Sequence, residues 1–153
     1  MESTVQHSET RPFTPELALP VAERPLDPET IRETVSVLIA QGELAMASEM
    51  TDLARVIHQN DESVLVMSAL VAEVSQDWFK AHALLTRLHY LQGESVTAET
   101  YRHEIRVLRC LGSTVQALNL AKAALIKFPS DVVLLEEHAE LLPFSDQTLS
   151  AVD

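Results

Sequence analysis

Large apolar, small and turn-forming residues follow one another in a fixed order between residues 98 and 131. Tyr101 and Leu108 come first, Gly112 follows them, and Ala117 and Ala124 come after the glycine. Ala117 and Ala124 are seven residues apart, so they share one face of a helix and allow a second helix to approach closely. The pattern therefore predicts two packed helices joined by a short turn at Gly112.

The ends of these two helices also carry signals. Gly112 can adopt the left-handed conformation that ends a helix. Ser113 and Gln116 have the spacing of a capping box at the start of the second helix. Pro129 cannot continue that helix, so the chain turns there. The segment thus predicts one complete helix-turn-helix unit of 34 residues.

The same order recurs earlier in the chain. Seventy residues upstream, the matching positions hold Ile31, Leu38, Gly42, Ala47 and Ala54. The middle unit begins near Glu62 and is 36 residues long, and a shift of its register by two residues fits the sequence as well. Its segment 64–74 is apolar almost all round, which predicts a helix buried between neighbours.

This order of residues resembles the tetratricopeptide repeat family, and residues 98–131 are its most specific part. The resemblance implies an all-α fold, a right-handed α-solenoid of about three helix-turn-helix units plus a C-terminal capping helix. The expected domain spans 28–142, with units 28–61, 62–97 and 98–131 and the capping helix 132–142. The family usually works by binding another protein.

In this family the first helices of the units line a concave groove, and the resemblance carries the groove positions onto this chain. A stripe of basic residues in the third unit is the first part of the expected groove. Unit one contributes a basic and a polar residue, and unit two contributes two apolar residues. The expected partner-binding residues are Arg32, Ser36, Val66, Leu70, Arg102, Arg106 and Arg109. The implied groove is apolar in the middle and cationic at one end.

A second interpretation of the arginine stripe stays open. Arg102, Arg106 and Arg109 lie at i, i+4 and i+7, so they project from one side of a helix. They can instead form ion pairs with glutamates of the following helix, at positions 136, 137 and 140. The first interpretation makes the stripe a binding surface, and the second makes it part of the fold.

The two ends of the chain differ from the repeats. Four prolines between residues 12 and 25 predict a flexible leader over 1–27. The alternative is that Phe13–Leu26 lies extended along a groove of this chain or of a neighbour. Asp27 and Pro28 form a clear start signal for the first helix. Pro143 ends the last helix, and residues 143–153 are expected to be a flexible tail.

Composition excludes several classes of function. The net charge of −12 argues against nucleic-acid binding, which needs a basic surface. The longest apolar stretch is too short to span a membrane, and the N-terminus shows no secretory signal. A single cysteine cannot form a disulfide within the chain, which fits a reducing compartment. We therefore expect a cytoplasmic protein. No catalytic motif, phosphate loop or dinucleotide fingerprint is present, and no histidine spacing suits a metal. The sequence therefore predicts a protein that is not an enzyme and that has neither a cofactor nor a metal.

A narrower resemblance concerns small acidic chaperones and accessory proteins of bacterial type III secretion systems. It rests on residues 77–88, on Tyr101 with Gly112, and on residues 138–142. The expected function is that of an adaptor or chaperone that holds an extended or helical segment of a client protein. The alternative is a structural, homo-oligomeric scaffold component of a larger bacterial assembly.

Overall fold

The computed structural model describes residues 27–145, and this part of the chain consists of α-helices and short 3-10 turns without a strand. The helices are α1 (Pro28–Ala40), α2 (Leu44–Ile57), α3 (Glu62–Val74), α4 (Trp78–Gln92), α5 (Ala98–Cys110), α6 (Thr114–Lys127) and α7 (Val132–Leu141). Two 3-10 turns follow α4 and α7, at Gly93–Ser95 and Leu142–Phe144. The predicted all-α class is confirmed.

The helices form consecutive antiparallel pairs, α1 with α2, α3 with α4 and α5 with α6, and each helix packs on the next one along the chain. The first helices begin at Pro28, Glu62, Ala98 and Val132, so the spacing is 34, 36 and 34 residues. They also pack side by side, α1 on α3 and α5 on α7. The result is an α-solenoid, a stack in which each pair contacts only its neighbours.

The same turn joins the two helices of each pair. Gly42 and Gly112 adopt φ of +77° and +76°, and Gln76 occupies the corresponding place in the middle pair with φ of +59°. In each case the next N–H donates a hydrogen bond to the carbonyl five residues back, as Ser113 does to Leu108 at 2.9 Å. This left-handed residue satisfies carbonyls that the end of the first helix leaves free.

Several helix starts are capped by side chains that the sequence analysis did not single out. Asp61, Asp77, Thr97 and Asp131 each accept a hydrogen bond from the backbone N–H three residues later. The predicted capping box at Ser113 is wrong, because Ser113 has φ of −86° and ψ of 60° and its side chain makes no capping bond. Asp27 precedes Pro28 as predicted, but only its backbone carbonyl receives a bond, from Ile31.

Small residues allow the paired helices to approach closely. Ala47, Ala81 and Ala117 hold the same position in successive pairs, and each is 0% exposed. Helix α3 lies at the centre of the stack and buries residues on most of its circumference, as its apolar composition predicted. The buried residues form three clusters, each made by one helix pair together with the first helix of the next pair.

The C-terminal boundary differs slightly from the prediction. Helix α7 ends at Leu141, because the chain tightens into the 3-10 turn that contains Pro143. Residues 143 and 144 therefore belong to an ordered turn rather than to a tail. The rest of the predicted tail (146–153) and the predicted leader up to residue 26 lie outside the described residues.

Candidate protein-binding groove

Three adjoining depressions run along the side of the solenoid that the first helices form. The first lies between α1 and α3, the second between α3 and α5, and the third between α5 and α7. Val66 and Leu70 line both the first and the second depression, and Glu99 and His103 line both the second and the third. Because they share walls, the depressions form one continuous channel, which we call the concave groove.

Four of the predicted groove residues meet in the first depression. Arg32 and Ser36 of α1 face Val66 and Leu70 of α3 across it. Arg32 pairs with Glu29 one turn earlier on α1, and both side chains remain largely exposed. Helical spacing and the side-by-side packing of α1 and α3 bring these four side chains together.

The centre of the groove is apolar. The second depression has a volume of about 170 Å³, and Leu85 and Leu88 of α4 form its floor below Val66 and Leu70. Its rim is polar, where Thr100 Oγ1 donates a 2.7 Å hydrogen bond to Gln92 Oε1. The contribution of α4 is not visible in the sequence pattern, because only the packing brings a second helix to the groove floor between α3 and α5.

Two of the three arginines of the predicted stripe line the third depression. Arg102 and Arg106 lie there beside His103, opposite Val133 and Glu137 of α7. Arg109 lies further along α5, where its guanidinium pairs with Glu137 and, at 2.9 Å, with Glu140. Arg109 thus forms the interhelical pairing that the second interpretation described.

Arg106 pairs with a carboxylate of α3 and not with the glutamates of α7 that the second interpretation named. Its guanidinium forms an ion pair with Glu73 of α3, whose side chain is 5% exposed, and His103 Nδ1 lies 2.8 Å from the same carboxylate. Burial raises the pKa of the Glu73 carboxyl, but hydrogen bonds from His103 and Arg106 outweigh burial and hold the pKa below its ordinary value. Glu73 is therefore an ionised group that ties α3 to α5.

The prediction of a cationic end of the groove is wrong. Arg106 and Arg109 are paired with carboxylates, and the Arg102 guanidinium is 3.9 Å from Asp131. Glu99 adds a further carboxylate on the rim, 3.6 Å from His103 Nε2. The end of the groove between α5 and α7 therefore presents both signs of charge in close alternation.

A second buried carboxyl lies behind the groove. Glu104 of α5 is 5% exposed, and its Oε2 lies 2.7 Å from His89 Nδ1 of α4. Burial raises the pKa of Glu104 above its ordinary value, and the neighbouring His89 offsets only part of that effect. The two buried glutamates, on α3 and α5, thus have pKa values shifted in opposite directions.

Residues 27–145 contain neither a metal-binding cluster nor a membrane-spanning helix. No three His, Cys, Asp or Glu side chains come together there in an arrangement that could hold a metal ion. The helices of this region are also too short or too polar to cross a membrane.

The backbone resembles solved tetratricopeptide structures. The second tetratricopeptide domain of human RPAP3, solved with an HSP70 peptide, matches with a TM-score of 0.63 and 13% identity over 75% of this chain and 98% of that domain. YrrB, described as a tetratricopeptide protein with an unusual peptide-binding site, matches with a TM-score of 0.67 and 17% identity over 87% of this chain and 69% of YrrB. No protein-family model and no curated protein sequence matches the chain. The chain has the tetratricopeptide repeat fold.

Proposed function

We propose that the protein binds a segment of a client protein in the concave groove and acts as a protein-interaction adaptor. The observation that carries the proposal is the continuous groove with an apolar centre at Val66, Leu70, Leu85 and Leu88 and polar ends. A segment that inserts apolar side chains there would bury them against a preformed floor. The two similar structures named above, one in complex with a peptide and one described by its peptide-binding site, support the proposal.

The charge of the groove bears on the client. Because the end between α5 and α7 carries both arginines and carboxylates, a client with alternating polar and charged side chains fits that end better than a uniformly acidic one. The chaperone role, the secretion pathway and a cytoplasmic location stay predictions from the sequence.

The test is a selection of binding peptides on the whole protein, followed by matched surface variants. Peptides would be selected from a random displayed library, and their affinities measured by fluorescence anisotropy. Leu70→Lys changes the apolar centre of the groove at a residue that is 38% exposed, so it should perturb the fold little. Val56→Lys is the control, because Val56 is 69% exposed and lies on α2, away from the groove.

We expect Leu70→Lys to weaken binding at least tenfold, or about 1.4 kcal/mol, while Val56→Lys leaves the affinity unchanged. Peptides that bind both variants equally well would place the binding surface outside the groove and would overturn the proposal.

A further inference from the structure

One end of the solenoid exposes a position that is buried everywhere else. Val37, Val71, Val107 and Leu141 hold the same place in successive first helices. Val71, Val107 and Leu141 are at most 1% exposed, because each packs on the preceding helix pair. Val37 is 54% exposed, since no described pair precedes α1.

Helix α2 continues the same exposed surface. Met46, Met50, Leu53 and Ile57 are spaced by four, three and four residues, so they form one stripe along the helix. Met46, Leu53 and Ile57 are 43–55% exposed. We call these four residues together with Val37 the N-terminal end face.

The equivalent stripe of α4 shows what such a surface contacts. Lys80 and Arg87 of α4 correspond to Met46 and Leu53 of α2. Lys80 Nζ reaches Asp52 of α2 at 2.9 Å, and Arg87 Nη2 reaches the side chain of Asn60, in the turn after α2, at 2.9 Å. This side of a second helix therefore faces the preceding unit of the stack.

The end face is more apolar than the equivalent interface inside the stack. Met46 and Leu53 of α2 stand where α4 has Lys80 and Arg87. Charged side chains would be favoured at both positions if they faced solvent. A terminal unit of a solenoid normally needs a polar outer surface to remain soluble. A contiguous apolar patch at this place therefore indicates that another segment covers it.

We propose that residues 13–26 of the same chain cover the N-terminal end face as an extended segment. This segment is joined directly to α1 through Asp27, and Ile57 lies at the same end of the antiparallel pair as Asp27. It carries five large apolar side chains, at Phe13, Leu17, Leu19, Val21 and Leu26.

The dimensions of the segment suit the stripe. Leu17, Leu19 and Val21 alternate, so they point to one side of an extended chain and span about 13 Å. The stripe from Met46 to Ile57 extends over about 16 Å of helix. Pro15, Pro20 and Pro25 favour an extended backbone and disfavour a helix. The segment then acts as the N-terminal cap of the stack and leaves the concave groove free for a client.

Proximity within the 153-residue chain tests this placement. With Cys110, the single cysteine, replaced by serine, cysteine pairs would be introduced and treated with a short bismaleimide. The test pair is Leu19→Cys with Leu53→Cys. The control pair is Leu19→Cys with Val56→Cys, an exposed position on the same helix, and a third pair joins Leu19→Cys to Leu70→Cys in the groove.

We expect the pair at 19 and 53 to cross-link within one chain several times faster than the other two pairs. Faster linkage of 19 to 70 would place the segment in the groove and overturn the proposal. Linkage between two molecules would show that a second copy covers the face, and equal rates for all pairs would show that the segment does not dock.

Stability provides an independent readout on the same surface. If the end face is covered, Leu53→Lys should lower the Tm of the 153-residue chain by several degrees, while Val56→Lys leaves it unchanged. Equal Tm values for the two variants, with light scattering showing a monomer, would contradict the proposal.

Discussion

Arg106 of α5 forms an ion pair with the buried Glu73 carboxylate of α3, 33 residues earlier in the chain. The pair joins the second helix pair to the third at the rim of the concave groove. Because Glu73 is almost fully buried, its charge depends on this partner and on His103. Arg106, the middle residue of the arginine stripe, therefore also holds α5 to α3.

Arg106→Glu should lower the stability of the fold, because it places a second carboxylate beside a buried one. Arg106 is 54% exposed, so we expect a loss of about 1–2 kcal/mol, less than for a fully buried pair. Chemical denaturation measures this loss. Arg102→Glu is the control, since the Arg102 guanidinium lies 3.9 Å from its nearest carboxylate. Equal effects of the two variants would show that the Glu73 pair does not stabilise the fold.

The stability that Glu73 contributes should depend on pH in a defined direction. Its pKa in the folded protein lies below the ordinary value of 4.5, so its contribution is present above that pH and is lost as the pH falls through the folded pKa. Glu73→Gln should therefore be less stable than wild type at pH 7, with the difference shrinking below about pH 4.5. Urea denaturation of both proteins between pH 3 and pH 7 tests this, and a pH-independent difference would contradict it.

Glu104 should show the opposite dependence. Its pKa in the folded protein is raised, so the stability linked to its neutral form is present below the ordinary value of 4.5 and is lost as the pH rises through the folded pKa. Glu104→Gln keeps a neutral group that can still accept a hydrogen bond from His89. We expect the stability of this variant relative to wild type to increase as the pH rises. Glu136→Gln, which removes an exposed carboxylate on α7, serves as the control.

Ala117→Leu should destabilise the protein by about 1–3 kcal/mol or more, because overpacking forces α5 and α6 apart. Ala117 is 0% exposed and packs in the cluster that contains Tyr101 and Ile105. Ala123→Leu, on the exposed side of the same helix, should change stability little. Thermal melting compares the two, and a wild-type Tm for Ala117→Leu would disprove the close approach of the helices.

Gln76→Gly should stabilise the protein by up to about 1 kcal/mol, because Gln76 adopts a φ of +59° that costs energy for a residue with a Cβ atom. Gly112→Ala should destabilise the protein, because Gly112 has φ of +76°. The added Cβ would meet no neighbouring atom, so backbone strain alone would cause the loss. Ser75→Gly is the control, because Ser75 lies in the right-handed region and gains nothing from glycine. A Tm that falls in Gln76→Gly would show that its side chain contributes more than the strain.

The sequence alone determined the repeat architecture. The small residues at Ala47 and Ala117 and the glycines at 42 and 112 define close approach and turn within about 34 consecutive residues. These features depend on helical periodicity and on backbone conformations that single residues permit, so they are readable without knowledge of the fold.

The chemistry of the groove depends on contacts between helices that are far apart in the sequence. Whether Arg106 offers a free charge depends on Glu73, and whether Glu104 is ionised depends on its burial beside His89. These partners come from different helices, and their distances follow from how the helices pack. Local spacing therefore indicated which side chains share a helix face, and packing across the helices determined which of their charges are neutralised.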